Sequence, residues 1–150
     1  MGDYAASGGV YISTPADYIF AHPTTITGSI GVAIAFLTTE DSLDYIGISK
    51  DGVQTSKFAG WTPELPVTEE LDNIFNNLAE RSYQRFLEVV SESRKKDVSE
   101  INKIAGGRVW IGTDALQIDI IDELGGIDDA IGKAAALAEI SEYQLKYSSS

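Results

Sequence analysis

The longest regular pattern of apolar and polar positions lies in the middle of the chain. Apolar side chains recur there three or four positions apart, the spacing that places them on one face of an α-helix: Leu71, Ile74, Phe75, Leu78, Phe86 and Val89. Thr68 followed by Glu69 and Glu70 is typical of a helix start, because acidic side chains there face the positive end of the helix dipole. The pattern predicts a helix over residues 68–94.

Shorter apolar runs bounded by glycine, proline and polar residues predict the strands. The predicted strands are residues 17–21, 29–37, 48–53 and 108–112. The run at 29–37 does not alternate with polar residues, which is typical of a strand covered on both faces. Residues 54–66 hold three helix-breaking residues, Gly60, Pro63 and Pro66, and are predicted to form a loop.

Four further helices complete the predicted element order. Residues 38–45 form the first, and a short helix begins at the capping-box sequence of residues 97–100 and ends at Gly106-Gly107. Thr113 or Asp114 caps the next, and residues 127–140 form the last. Strands that alternate with helices along the chain indicate an α/β domain.

The composition narrows the class of protein. The 150 residues are 43% hydrophobic, which suits a single globular domain over residues 1–147 with a disordered serine tail at 148–150. A formal charge of −12 disfavours binding to nucleic acid or to anionic lipid. The absence of cysteine excludes disulfides, thiolate catalysis and zinc–thiolate sites. No apolar run is long enough to span a bilayer and no signal peptide is evident, so we expect the chain itself to be soluble.

Ser7 is the first candidate for chemistry, within the sequence AASGG. A serine hydroxyl is a weak nucleophile, so it needs a base within hydrogen-bond reach and donors for the oxyanion that forms. The small neighbours of Ser7 would let a substrate backbone approach closely. If a helix runs from Ser7 through Ile12, the backbone N–H of Gly8 lies at its positive end. The alternative is a small residue that packs tightly in a turn.

The base is harder to identify from the residues. His22 is the only histidine, and its place before Pro23 indicates a surface loop. A lysine kept neutral by burial is the other base that serves serine, since desolvation lowers the pKa of an ammonium group. Lys57 is the one lysine in an apolar, glycine-bearing loop. Neither residue is singled out by the pattern alone.

Several stretches together resemble the signal peptide peptidase A family, peptidase family S49. They are MGDYAASGGVYISTPADYIFAHPTTITGSIGV, DGVQTS, KIAGGRVWIGTDA, DELGGIDDAIGKAA and YQLKY, in the family's order. The resemblance covers nearly the whole chain. It is strongest to the serine-bearing C-terminal repeat of the long, two-repeat bacterial form, which implies that the chain is a fragment and Met1 an internal methionine of a longer parent.

The resemblance implies a role for each matching residue. Ser7 is the nucleophile, Ser29 of TGSIG orients the amine of the catalytic lysine, and the N–H of Gly8 is one oxyanion donor. The second donor comes from a glycine-rich loop upstream of this chain. Short family members carry the lysine at the position that is Ala59 here, and Lys57 misses that position by two residues. The general base is therefore expected outside the chain, with Lys57 as a weak candidate.

The resemblance also implies a fold and a reaction. The fold is the Clp protease/crotonase-like α/β spiral, truncated here at its N-terminal edge, so that the strand that holds the serine-bearing turn is missing. The reaction is peptide hydrolysis by a Ser–Lys dyad that needs no metal or organic cofactor. The substrates are cleaved signal peptides and other short apolar peptides, and an apolar groove beside Ser7 would be lined by Val10, Ile30 and Val32.

The expected partners are peptide substrates, the missing N-terminal repeat and further copies in a homo-oligomer. The parent is expected at the bacterial inner membrane, with its catalytic part facing the periplasm and its membrane association through segments absent here. The isolated chain is expected to be inactive. Two alternatives stay open: a catalytically silent scaffold for oligomerisation, and a crotonase-type acyl-CoA enzyme.

Overall fold

The structure, a computed structural model, describes residues 1–146. The chain divides into two compact units: residues 1–31 with those from 85 onward, and residues 32–84. The tail expected at 148–150 lies outside the described residues. In chain order the elements are β1 (Tyr4–Ala6), α1 (Gly8–Ser13), β2 (Phe20–Ala21), β3 (Ile26–Gly28), α2 (Glu40–Tyr45), α3 (Glu69–Arg94), α4 (Val98–Ile104), β4 (Val109–Ile111), α5 (Gly112–Gln117), β5 (Glu123–Leu124) and α6 (Ile127–Leu137).

The helices follow the sequence pattern closely. The predicted helix over residues 68–94 is α3, with one residue fewer at its start, and α2, α4 and α6 lie within their predicted segments. Asp97 is the N-cap of α4, as predicted, but it makes no side-chain capping bond. The cap predicted at Thr113 or Asp114 is wrong, because α5 begins at Gly112. The mixed α/β content is confirmed. Within residues 1–146, the structure contains no helix long and apolar enough to cross a membrane.

The prediction of a strand over residues 29–37 is wrong. The strand in this region is β3, Ile26–Gly28, which ends one residue before the start of the predicted strand. Gly28 and Ser29 both have positive φ, 77° and 51°, and two consecutive left-handed residues turn the chain out of the extended conformation. Residues 32–37 are exposed, so the apolar run is not a strand covered on both faces.

Two other predicted strands also differ from the structure. Residues 48–53 form no strand, because their backbone pairs with neither of the two sheets found within residues 1–146. The strand predicted over residues 17–21 is reduced to β2, Phe20–Ala21. The strand predicted over residues 108–112 is β4, and residues 54–66 are irregular, as predicted.

The first unit is built on a three-stranded sheet in the order β1-β3-β4. Strand β1 is parallel to β3, with Tyr4 opposite Ile26 and Ala6 opposite Gly28, and β3 is antiparallel to β4. The buried Thr27 hydroxyl donates to the Ala5 carbonyl at 2.8 Å and ties β3 to β1. The expectation that this chain lacks the strand before the serine-bearing turn is therefore wrong, because β1 is that strand.

An ion pair anchors the end of α3 to the rest of the first unit. The Arg94 guanidinium donates to both carboxylate oxygens of Asp122, at 2.6 and 3.2 Å, and to the Asp119 carbonyl at 2.8 Å. The Ile19 amide also donates to Asp122, at 2.7 Å. Burial would raise the pKa of the Asp122 carboxyl, but the hydrogen bonds from Arg94 and Ile19 outweigh burial and lower this pKa below its usual value.

Three aromatic rings pack together in the second unit. Phe36 and Phe75 lie 4.2 Å apart between ring centroids, and Trp61 meets Phe36 edge-on at 5.3 Å. The Trp61 indole N–H donates to the Pro66 carbonyl at 3.2 Å. Contacts between aromatic rings stabilise a small core beyond their buried area. Trp61 is thus a packing residue of the second unit.

Candidate active site

Ser7 occupies a sharp turn between strand β1 and helix α1. Its backbone has φ 52° and ψ −112°, a conformation that residues other than glycine rarely adopt. Two backbone hydrogen bonds hold it there: the Ser7 N–H donates to the Gly28 carbonyl at 2.8 Å, and the Ser7 carbonyl accepts from the Tyr11 N–H at 3.0 Å. The residue is exposed, so the strained turn presents its hydroxyl to solvent.

Ser29 lies directly beside this turn because of the strand register. Ala6 and Gly28 are paired partners in the parallel ladder, so the residues after them, Ser7 and Ser29, leave the same edge of the sheet from neighbouring strands. Neighbouring strands are about 4.8 Å apart. The structure therefore brings together the two serines that the sequence singled out.

The backbone of Ser29 is held by the residue that precedes β4. Its N–H donates to the Arg108 carbonyl at 2.6 Å, and its φ of 51° continues the left-handed turn that starts at Gly28. A Cβ on Gly28 would lie 2.6 Å from the Trp110 ring and 2.8 Å from the Arg108 carbonyl oxygen. Only glycine fits there, and Trp110 thus packs against the turn that carries Ser29.

Gly8 opens helix α1 immediately after the serine. In the first turn of a helix the N–H groups have no acceptor within the helix, so the Gly8 N–H is available to an oxygen that approaches Ser7. A Cβ built on Gly8 would meet nothing within 4 Å, and the residue is exposed. The helix predicted from Ser7 through Ile12 is confirmed to within one residue, as Gly8–Ser13.

The two candidate bases have different surroundings. His22 is exposed, as predicted, and its backbone N–H donates to the Thr25 hydroxyl at 2.9 Å. Lys57 belongs to the second unit; its side chain is 68% exposed and is hydrogen-bonded to the Glu70 carboxylate. A lysine serves as a base for serine when it is buried, and the Lys57 side chain lacks that burial.

The residues proposed to line an apolar groove have different environments. Val10 is 3% exposed and Ile30 is fully buried. Both belong to the core of the first unit: Val10 is the buried residue of α1, and Ile30 directly follows Ser29. Val32 is 40% exposed and belongs to the second unit. Val10 and Ile30 therefore support the serine-bearing turns from the core and present no surface to a peptide.

Sequence reasoning missed the supporting residues of the site. Strand β1 is only three residues long, too short for alternation to reveal it. The contacts from Arg108 and Trp110 come from β4 and the residue before it, far from Ser29 in the sequence, and the close approach of a tryptophan to Gly28 has no local signal. Among residues 1–146, no group of three or more His, Cys, Asp or Glu side chains is arranged to hold a metal ion.

Comparisons with known proteins match this chain along most of its length. The pattern of peptidase family S49 matches residues 1–141. The chain is 44% identical to Protease 4 of Salmonella typhi and 43% identical to Protease 4 of Haemophilus influenzae, over 98% and 91% of its length. It is also 37% identical over 93% of its length to the chloroplastic serine protease SPPA of Arabidopsis thaliana. It covers 24%, 22% and 21% of these relatives, respectively.

Proposed function

The chain belongs to peptidase family S49, and on this premise we propose that it is the nucleophile-bearing part of a serine endopeptidase of the Ser–Lys type. Two of its relatives are named Protease 4 and a third is named a serine protease. The family implies the Clp protease/crotonase-like fold, with which the parallel β1–β3 pair and the α/β content agree. The proposed substrates are cleaved signal peptides and other short apolar peptides.

The adjacent placement of Ser7 and Ser29 carries this proposal. A parallel register sets the two residues side by side, and backbone hydrogen bonds to Gly28 and Arg108 fix both turns without help from the hydroxyls. Both hydroxyls therefore remain available for a third group. A Ser–Lys dyad needs such an arrangement, with one serine to react and one to orient the lysine amine.

Each residue then has a defined role in hydrolysis. A neutral lysine amine, held by the Ser29 hydroxyl, removes the Ser7 proton as the Ser7 oxygen attacks the scissile carbonyl carbon. The Gly8 N–H donates to the oxyanion of the tetrahedral intermediate. The lysine returns the proton to the leaving amine. Water then attacks the acyl-enzyme while the lysine removes its proton, and the lysine returns that proton to the Ser7 oxygen as the acyl group leaves.

The lysine is proposed to come from the N-terminal repeat of a longer protein. The geometry of Lys57 supports this, because its side chain is 68% exposed and its amine is hydrogen-bonded to Glu70, whereas the base of a Ser–Lys dyad is buried. It follows that the chain by itself is inactive. The same proposal places the parent in a homo-oligomer at the bacterial inner membrane, with the catalytic part on the periplasmic side.

Covalent labelling with a serine-directed fluorophosphonate tests the proposal. The chain is treated alone and after mixing with the N-terminal repeat, and the modified peptide is located by mass spectrometry. We expect labelling of Ser7 only in the mixture, with a loss of about 10²-fold or more in Ser29→Ala, the typical contribution of a positioned base. Ser13→Ala is the matched control, because Ser13 lies on the same helix and its hydroxyl donates to the Gly9 carbonyl at 2.7 Å.

The alternatives predict other outcomes. Labelling of the chain alone that is lost in Lys57→Ala would make Lys57 the base. No labelling of a folded, associated mixture would refute the protease proposal and favour a silent scaffold. Turnover of acyl-CoA thioesters by the intact protein would favour a crotonase-type enzyme.

A further inference from the structure

The second unit contains an aspartate followed by glycine in an exposed, irregular segment. Asp51 and Gly52 lie within residues 48–54, where the structure has no helix or strand. Both residues are exposed, and a Cβ on Gly52 would meet nothing within 4 Å. Glycine has the widest choice of backbone angles of any residue. The peptide between Asp51 and Gly52 is therefore free of both regular hydrogen bonding and side-chain crowding.

The side chain of Asp51 is folded back onto this peptide. The Gly52 N–H donates to Asp51 Oδ1 at 2.8 Å, which places the amide nitrogen beside the carboxyl carbon. These are the two atoms that form a bond when an aspartyl peptide closes to a five-membered cyclic imide. In a helix the amide nitrogen is instead held by the helical backbone and cannot rotate toward the side chain.

Side-chain contacts on both sides restrain the segment around this pair. The Lys50 ammonium donates to the Thr62 hydroxyl and to the Glu64 carboxylate, each at 2.8 Å. The hydrogen bond from Lys50, followed by that from Thr62, lowers the pKa of Glu64 to about 2. Lys57 is bonded to Glu70 further along. The chain is thus held at Lys50 and Lys57, while the Asp51–Gly52 peptide between them makes no such contact beyond its own pair.

We propose that Asp51 is a site of spontaneous isomerisation to isoaspartate. The Gly52 nitrogen forms a bond to Cγ of the protonated Asp51 carboxyl, the Cγ–OH bond breaks, and the amide proton leaves with the hydroxyl as one water molecule. Water then adds to either carbonyl of the cyclic imide. Opening at the backbone carbonyl leaves the chain running through Cβ and Cγ, with a free α-carboxylate. No oxidant, metal or enzyme is needed.

The product has a defined recognition chemistry. A β-linked residue with a free α-carboxylate is the group that isoaspartyl methyltransferases esterify with the methyl group of S-adenosylmethionine. The isomer also inserts one extra carbon into the main chain directly after Lys50. The modification changes neither the mass of the residue nor its formal charge at neutral pH.

Incubation of the full chain in ¹⁸O-water at physiological pH and temperature tests the proposal. We expect the Asp51 peptide to gain one heavy oxygen atom, to split into two species of equal mass, and to accept methyl groups from S-adenosylmethionine with an isoaspartyl methyltransferase. Electron-transfer fragmentation then locates the β-linkage. The Asp114–Ala115 pair, held in α5 with Ala115 fully buried, is the internal control and should remain unlabelled.

Two variants make the result decisive. Asp51→Glu should show no isomer, because its longer side chain would have to close a six-membered ring. Gly52→Ala should accumulate isomer roughly fivefold more slowly, because a Cβ restricts the backbone. Equal accumulation in Gly52→Ala and the unaltered chain, or no heavy oxygen at Asp51 after prolonged incubation, would overturn the proposal.

Discussion

Replacing Gly28 by alanine tests how the serine-bearing turns are held together. The new Cβ would lie 2.6 Å from the Trp110 ring and 2.8 Å from the Arg108 carbonyl oxygen, and φ at this position is +77°. A left-handed residue with a Cβ costs about 1–2 kcal/mol. Forcing a methyl group into a packed site costs about 1–3 kcal/mol more. We expect Gly28→Ala to lower the free energy of unfolding by about 2–5 kcal/mol.

Gly107→Ala is the matched control for this substitution. Gly107 has nearly the same backbone angle, φ +76°, but a Cβ there would meet nothing within 4 Å. It should cost only the conformational part, about 1–2 kcal/mol. The difference between the two variants therefore isolates the contact with β4.

Urea unfolding measures both variants. Tryptophan fluorescence and far-ultraviolet circular dichroism should give coincident transitions, with midpoints shifted and slopes unchanged. If the two variants lose equal stability, Trp110 and the Arg108 carbonyl do not enclose Gly28, and the account of the site's geometry fails. A changed slope in Gly28→Ala alone would indicate instead that the native state itself has loosened.

Two further predictions concern strain and charge. Ser7→Gly should abolish labelling and raise the free energy of unfolding by about 1 kcal/mol, because the relief of about 1–3 kcal/mol of backbone strain exceeds the entropy cost of glycine. The control Ser13→Gly, within α1, should lower the free energy of unfolding. A similar loss of stability in both variants would show that Ser7 stores no strain. Arg94→Met should cost about 2–3 kcal/mol at neutral pH, because it leaves the Asp122 carboxylate largely buried without its partner. Because the folded-state pKa of Asp122 is lowered, its stabilising effect is present above the unfolded pKa of about 3.9 and is lost as the pH falls through the folded pKa. The difference in urea unfolding between Arg94→Met and the unaltered chain should therefore narrow below about pH 4. The control Lys96→Met breaks the exposed pair with Asp119 and should cost less than about 1 kcal/mol at any pH.

The sequence predicted elements whose signals are local. Helix α3 is recognisable because its apolar face repeats within a few residues, and α2 and α6 end near glycines or polar residues that are visible in the sequence. The strand expected over residues 29–37 failed because an apolar run does not reveal where φ becomes positive. The left-handed turn at Ser29 is held by a hydrogen bond to the Arg108 carbonyl, which folding brings from far along the chain.

The sequence identified the candidate residues of the site, but it did not reveal the residues that support them. Ser7, Ser29 and Gly8 were identified from motifs, and the structure sets the two serines side by side. Val10 and Ile30 were expected to face a substrate, but apolar residues next to a site are equally suited to the core beneath it, and these two are buried. Hydrophobicity alone cannot distinguish these two positions, because both demand the same kind of side chain.

The turns at Ser7 and Ser29 are positioned by the parallel pairing of β1 with β3, and not by the side chains of the two serines. The geometry of the site can therefore be inherited separately from its reactivity. The ladder is made by main-chain atoms, which every amino acid except proline supplies in full. The proposed chemistry depends on two hydroxyls that follow the ladder. A lineage that loses either serine would keep the same turns in the same places, ready for other side chains. Descendants with new or abolished activities should therefore be recognisable by an unchanged backbone at these two turns.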